Sequence, residues 1–175
     1  MDDSSDRVAR IMAEWQRERP DLDVSPQGVV GRLHRLAAHL TGELVGVYAR
    51  FGLGEGDFDV LATLRRGGAP FERAPGDLAS ATMVTTGAMT KRIDRLESAG
   101  LVTRRASEAD GRGRVVALTD AGRDLIDDAF SAHIENEHRL VGELSADDVR
   151  ALEAILTRWL GVYEGEVRSS TDHVN

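Results

Sequence analysis

Residues 100–119 read GLVTRRASEADGRGRVVALT, and their pattern predicts the fold class. Two short β-prone runs, residues 101–105 and 114–118, flank a polar loop. The loop contains Asp110 and then Arg112, which has a glycine on each side. Apolar residues lie at the base of the loop. Such a pattern is typical of a β-hairpin. We therefore predict a two-stranded wing with an arginine at its tip.

The segment before the hairpin, residues 75–99, has helix–turn–helix character. The inner side of a short first helix consists of Leu78, Ala79 and Ala81, and Thr85 or Thr86 can cap the second helix. The inward face of the second helix consists of Ala88, Met89, Ile93 and Leu96. A helix–turn–helix followed directly by a wing is a structure that contacts duplex DNA.

The outward face of the second helix suits the major groove. This face consists of Thr86, Gly87, Thr90, Lys91 and Arg95. Small residues let the backbone approach, hydroxyls reach phosphates or bases, and Lys or Arg can bond guanine. The alternative interpretation is an amphipathic surface helix whose charges only face water.

The net charge of −8 is unusual for a DNA-binding protein, so its distribution matters. Residues 84–118 carry seven Lys and Arg against four Asp and Glu, a net charge of +3. Residues 119–175 carry five against 13, a net charge of −8. Distant exposed charges are screened beyond about 8–10 Å at ordinary salt, so the local charge governs attraction to phosphate. The acidic balance is therefore compatible with DNA binding.

Apolar residues recur at helical spacing on both sides of this positive segment. They predict helices over residues 4–19, from Pro26 to about Phe51, and near 55–66. Two more are predicted after the wing, the second with the apolar stripe Val149, Leu152, Ile155, Leu156, Trp159, Leu160 and Tyr163. That stripe fits either a dimer interface or a monomer core.

Composition and motifs argue against several classes of protein. The chain has no cysteine, which excludes disulfides and thiolate metal sites. It has no P-loop, G-x-S-x-G or H-E-x-x-H motif, and its five histidines lack metal-ligand spacing. We expect no enzyme, cofactor or metal site. With no apolar run near the roughly 20 residues of a membrane span, we expect a cytoplasmic protein.

The segments TTGAMTKRIDRLESAGLVTRR (residues 85–105) and DGRGRVVALT (110–119) resemble the MarR family of winged-helix transcription regulators. The resemblance implies a mainly α fold with a small β-hairpin, in one domain over residues 1–175. The lobe at 53–118 would bind DNA, and the helices at 4–51 and 120–165 would intertwine in a homodimer. Such a dimer binds a pseudo-palindromic operator.

The resemblance also implies roles for the wing. The family's counterpart of Arg112 enters the minor groove, and the counterpart of Asp110 orients the wing arginines. Together with the second helix, the expected DNA-binding residues are Thr85, Thr86, Gly87, Thr90, Lys91, Arg95, Arg105, Asp110, Arg112 and Arg114.

One branch of that family responds to urate and has an extra N-terminal helix. Its pattern of one Trp, one Asp and two Arg matches Trp15, Asp59, Arg92 and Arg104. Two guanidiniums can hold a planar anion while Trp stacks on it and Asp accepts ring N–H groups. Simpler roles remain open: an Asp59–Arg92 ion pair, a phosphate contact for Arg104, and packing for Trp15.

The sequence thus predicts a repressor that a small anionic ligand, such as urate or another planar acid, releases from its operator. The alternative is a winged-helix protein-interaction module that does not bind DNA.

Overall fold

Helices dominate the fold in the computed structural model, which describes residues 6–106 and 113–171. In chain order the elements are α1 (Arg7–Glu18), α2 (Gln27–Ala49), α3 (Glu55–Arg66), β1 (Glu72–Arg73), α4 (Pro75–Ala81), α5 (Thr86–Ser98), β2 (Val102–Ala106), β3 (Arg114–Leu118), α6 (Asp120–Val141) and α7 (Ala146–Thr171). The expected mainly α fold with a winged helix–turn–helix is confirmed. None of the described helices has both the length and the apolar character that a membrane span needs.

The predicted hairpin is confirmed, and it belongs to a three-stranded antiparallel sheet of order β1-β3-β2. In the hairpin Val102 is paired with Leu118 and Ala106 with Arg114. Strand β1 was missed because two residues carry no detectable periodicity. The backbone N–H of Leu118 also bonds the carbonyl of Phe71, 3.1 Å away, beside β1. The wing therefore extends from a sheet in which β3 is paired on both sides, with β1 and with β2.

The core of the winged helix–turn–helix forms where α3, α4, α5, β3 and α6 meet. Its most buried side chains are Val60, Leu61, Leu64, Leu78, Met89, Ile93, Leu96, Val116 and Ile126. Helix α6 begins in close contact with the start of the wing. A Cβ on Gly122 would lie only 1.9 Å from the carbonyl oxygen of Leu101. Only glycine permits this approach, which fixes the base of the wing against the core.

The chain divides after His133 into two compact units. The first unit contains the sheet and α1 to α5, together with α6 as far as His133. The second unit contains the remainder of α6 and α7. Apolar side chains of α7 are exposed to solvent in this single chain, among them Leu152, Ile155, Leu156, Leu160 and Tyr163.

Candidate nucleic-acid interface

Helix α5 presents one buried and one exposed face, as its sequence predicts. Met89, Ile93 and Leu96 are at most 2% exposed. All five predicted outward residues, Thr86, Gly87, Thr90, Lys91 and Arg95, are exposed. The helix begins after Thr85, whose side-chain oxygen accepts a hydrogen bond from the backbone N–H of Ala88 at 3.3 Å. This cap fixes the first turn of α5, where Thr86 and Gly87 are exposed.

The N-terminal part of the exposed face of α5 has hydrogen-bonding groups that are available to a partner. The Thr90 hydroxyl donates to the Thr86 carbonyl, 3.0 Å away within the helix. Its oxygen lone pairs remain available. Lys91 has no ion-pair partner in the described part of the chain. Since a Cβ on Gly87 would meet nothing within 4 Å, a partner can approach this backbone closely.

Arg95 is held by a buried carboxylate that the sequence analysis did not single out. Its Nη2 lies 2.6 Å from Oδ1 of Asp57, and its Nε lies 3.0 Å from the same oxygen. The side chain of Asp57 is 8% exposed and that of Arg95 is 59% exposed. This hydrogen bonding raises the pKa of Arg95 above its usual value. A predicted DNA contact is therefore also a link between α5 and α3.

The predicted wing residues are only partly described. Asp110 and Arg112 lie outside the described residues. Arg105 forms an ion pair with Glu72 of β1, which ties β2 to the far strand of the sheet. Arg114 begins β3 and is exposed. The DNA-contacting roles of these four residues remain predictions.

Arg92 and Asp59 are brought near each other on α5 and α3. No hydrogen bond or ion pair joins them within residues 6–106 and 113–171, although the charge of Arg92 acts on Asp59. Burial raises the pKa of Asp59, Glu55 raises it further, and Arg92 lowers it in part. The direct Asp59–Arg92 pair, one of the simpler interpretations, is thus absent from this structure.

The guanidinium of Arg92 occupies a notch that a glycine leaves open. A Cβ on Gly56 would lie 2.2 Å from Cζ of Arg92. Within the described structure, Nη1 of Arg92 is buried without a hydrogen-bond partner. A buried N–H without an acceptor is unfavourable. The notch therefore holds a cation with an unused donor.

The other two predicted ligand residues lie in different surroundings. Arg104 forms ion pairs with Asp94 and Glu97 of α5, and it joins β2 to the end of that helix. Trp15 lies on α1 and is 47% exposed. No described ring contact or hydrogen bond connects Trp15 with Asp59, Arg92 or Arg104. Their joint role in one ligand site stays a prediction.

Sequence reasoning missed Asp57, Gly56 and Arg66, whose charge also acts on Asp59. For Asp57 a signal existed, since an acidic residue in the first turn of a helix stabilises its N-terminus. For Gly56 there was none, because its close neighbour Arg92 is distant in sequence. Arg66 also lines a cavity of about 390 Å³ with Ala62, Arg65, Ile126, Asp127 and Phe130.

Comparison with known proteins decides the family. A family model for the MarR family matches residues 51–113. The HTH-type transcriptional regulator PecS of Dickeya dadantii is 39% identical over 151 residues, covering 86% of this chain and 91% of PecS. The chain belongs to the MarR family. As predicted from the sequence, its relatives are transcription regulators and not enzymes.

Solved structures of MarR-family proteins agree with the fold. AbsC from Streptomyces coelicolor has a TM-score of 0.72 at 26% identity, covering 82% of this chain and 97% of AbsC. A mutant MarR from E. coli in complex with operator DNA has a TM-score of 0.66 at 27% identity, covering 79% and 99%. In the described part of this MarR-family chain, no three His, Asp or Glu side chains cluster as metal ligands.

Proposed function

We propose that this MarR-family chain is a sequence-specific DNA-binding regulator that inserts α5 into the major groove. The exposed polar face of α5 carries the proposal, because the buried side chains of Met89, Ile93 and Leu96 on the opposite face hold the helix in place. The operator complex of the related MarR from E. coli supports it. In this proposal the first turns of α5 contact bases, since the N-terminal residues of a recognition helix reach base edges.

The wing supplies a second contact. Arg112 enters the minor groove, Asp110 orients it, and Arg105 and Arg114 approach the phosphate backbone. We expect Arg112→Ala to weaken DNA binding and to flatten its salt dependence, since one cationic contact is removed. Unchanged affinity would remove the wing from the mechanism.

The regulator acts as a homodimer on a pseudo-palindromic operator. The exposed apolar face of α7 supports this, since large apolar patches mark association surfaces. A two-fold dimer presents its two recognition helices to successive major grooves about 34–36 Å apart. The half-sites are then separated by one helical turn.

The decisive experiment is a DNA-binding titration with the full chain. A duplex selected by the protein from a randomised library is compared with a random-sequence duplex of equal length, from low to high salt. A DNA-binding regulator prefers the selected duplex and loses affinity steeply as salt rises. A protein-interaction module that has lost DNA binding, the alternative, binds neither duplex at any salt.

A small planar anion is the proposed effector, with urate as the leading candidate, and its binding releases the operator. The unpartnered Nη1 of Arg92 supports this, because an anionic acceptor would complete its hydrogen bonding. Asp59 accepts ring N–H groups, while Trp15 and Arg104 complete the site. A ligand that pulls on Arg92 also moves α5, the helix that carries this residue.

Urate is titrated into the complex of protein and selected duplex, and DNA release is measured together with Trp15 fluorescence. A Trp159→Phe background leaves Trp15 as the only tryptophan. Gly56→Ala displaces the Arg92 guanidinium and should abolish the response while DNA binding persists. No release at millimolar urate, with Trp15 fluorescence unchanged, contradicts urate as the effector. Other planar acids and tricarboxylates are then tested in the same assay.

A further inference from the structure

The contact between Asp57 and Arg95 joins a buried side chain to a long, exposed one. Asp57 sits in the first turn of α3, almost completely buried. Its Oδ2 also accepts the backbone N–H of Gly54 at 3.2 Å, which caps the start of that helix. Arg95 is a long side chain on the exposed face of α5. The buried carboxylate is therefore the fixed partner and the guanidinium is the group that is oriented.

The geometry leaves one edge of the guanidinium unused. Nε and Nη2 of Arg95 both donate to Asp57. In the described residues, Nη1 has no acceptor from the protein. A paired guanidinium loses less side-chain freedom on meeting a further acceptor than a mobile one does. An oriented cation with a free N–H edge is suited to a phosphate oxygen.

The position of Arg95 within α5 favours phosphate over a base. Base contacts come from the N-terminal residues of a recognition helix, whereas Arg95 lies in its last turn. Contacts to phosphate fix the register of a protein on DNA without reading sequence. We propose that Asp57 is a positioning residue for DNA binding, which holds Arg95 so that its free edge meets the phosphate backbone. This inference rests on the proposed function.

The test must separate this role from the helix cap, since Asp57 serves both. Asp57→Asn keeps an oxygen for the cap and removes the charge. Adding Gly54→Ser supplies a second cap, because Gly54 has the extended backbone of an N-cap position. The double variant Gly54→Ser/Asp57→Asn therefore restores the start of α3 without restoring the ion pair. Arg95→Ala, alone and with Asp57→Asn, completes the set.

Each full-length variant is assayed for melting temperature and for binding to the library-selected and random-sequence duplexes over a range of salt. We expect Asp57→Asn to weaken binding to both duplexes roughly tenfold, which is about 1.4 kcal/mol. The slope of log affinity against log salt should fall by about 0.9 for each phosphate that the protein no longer neutralises. Gly54→Ser should recover the melting temperature but not the affinity or the slope. Asp57→Asn should add nothing in the Arg95→Ala background.

Four outcomes would overturn the inference. Recovery of affinity together with melting temperature in the double variant would make Asp57 only a helix cap. Tighter binding by Asp57→Asn would mean that Asp57 masks Arg95 from DNA. Unchanged affinity in Asp57→Asn, with steep salt dependence in the wild type, would remove Arg95 orientation from the mechanism while the proposed function stands. If the wild type binds neither duplex, both fall.

Discussion

Helices α5 and α7 both have an apolar face, but only the apolar face of α5 is buried within the chain. In α5 the apolar residues Ile93 and Leu96 are 1% and 2% exposed, covered by the chain itself. In α7 the apolar residues Leu156 and Leu160 are 39% and 56% exposed. An amphipathic pattern predicts that one face of a helix is buried, but it does not indicate whether the same chain or another molecule buries it. For α5 the answer lies within the chain, and for α7 we propose a second copy.

The largest effect is expected from charging the face of α7. Leu156→Glu/Leu160→Glu should convert the dimer to a monomer, because burying unpaired carboxylates in an apolar interface is strongly unfavourable. Light scattering coupled to gel filtration measures the mass directly. Arg158→Glu lies on the opposite side of the helix and serves as the control. A double variant that keeps the dimer mass would place the interface elsewhere.

Leucine truncations in α5 and α7 test whether each apolar face is covered by the same chain or by a second copy. Leu96→Ala should lower the free energy of unfolding by about 3 kcal/mol at every protein concentration, since it opens a cavity in the core of the chain. Leu160→Ala should act mainly through association, so its effect on urea unfolding depends on protein concentration. Identical concentration dependence for the two variants would contradict the distinction.

The exposed side of α5 is tested by Lys91→Ala. We expect roughly tenfold weaker binding to the selected duplex and little change in unfolding, because Lys91 is exposed and has no described ion-pair partner. Fluorescence anisotropy measures the affinity. Arg17→Ala removes an exposed positive charge from α1 instead. An equal loss in both variants would mean that net charge, rather than this face of α5, attracts DNA.

The smallest effect concerns Asp59, which lies beside α5 on α3. Its folded pKa is raised above 3.8, so its contribution to stability is fully present below that pH. The contribution is lost as pH rises through the folded pKa. Asp59→Asn should therefore be more stable than the wild type at neutral pH, by under about 1 kcal/mol, with no gain at acidic pH.

Urea unfolding across the acidic to neutral range measures the effect of Asp59→Asn. Asp128→Asn, at an exposed position of α6, is the control. A stability gain independent of pH in Asp59→Asn would show that burial of the charge is not its cause.

Local sequence signals predicted the elements well, because their causes are local. Helix α3 ends at Arg66 and α5 begins after its Thr85 cap, as expected from apolar spacing and capping chemistry. The wing strands were placed within one residue. The two faces of α5 were also assigned correctly, since helical periodicity separates them.

The partners of the charged residues were not predictable in the same way. Arg104 was expected at a ligand site or a phosphate, and in the structure it pairs with Asp94 and Glu97. Arg95 was expected to contact DNA, and in the structure it also pairs with Asp57. A charged side chain can pair with any opposite charge that the fold brings near, and composition does not say which.

From the amino-acid order alone follow the winged helix–turn–helix, its positive segment and the outward face of α5. Periodicity, glycine positions and capping side chains act over a few residues, so they can be recognised in the amino-acid sequence. Three contacts are seen only in three dimensions: Arg92 lies in the notch of Gly56, Asp57 holds Arg95, and β1 pairs with β3 of the wing. Those contacts join residues that are about 36 to 45 positions apart, and only three-dimensional packing brings such pairs together.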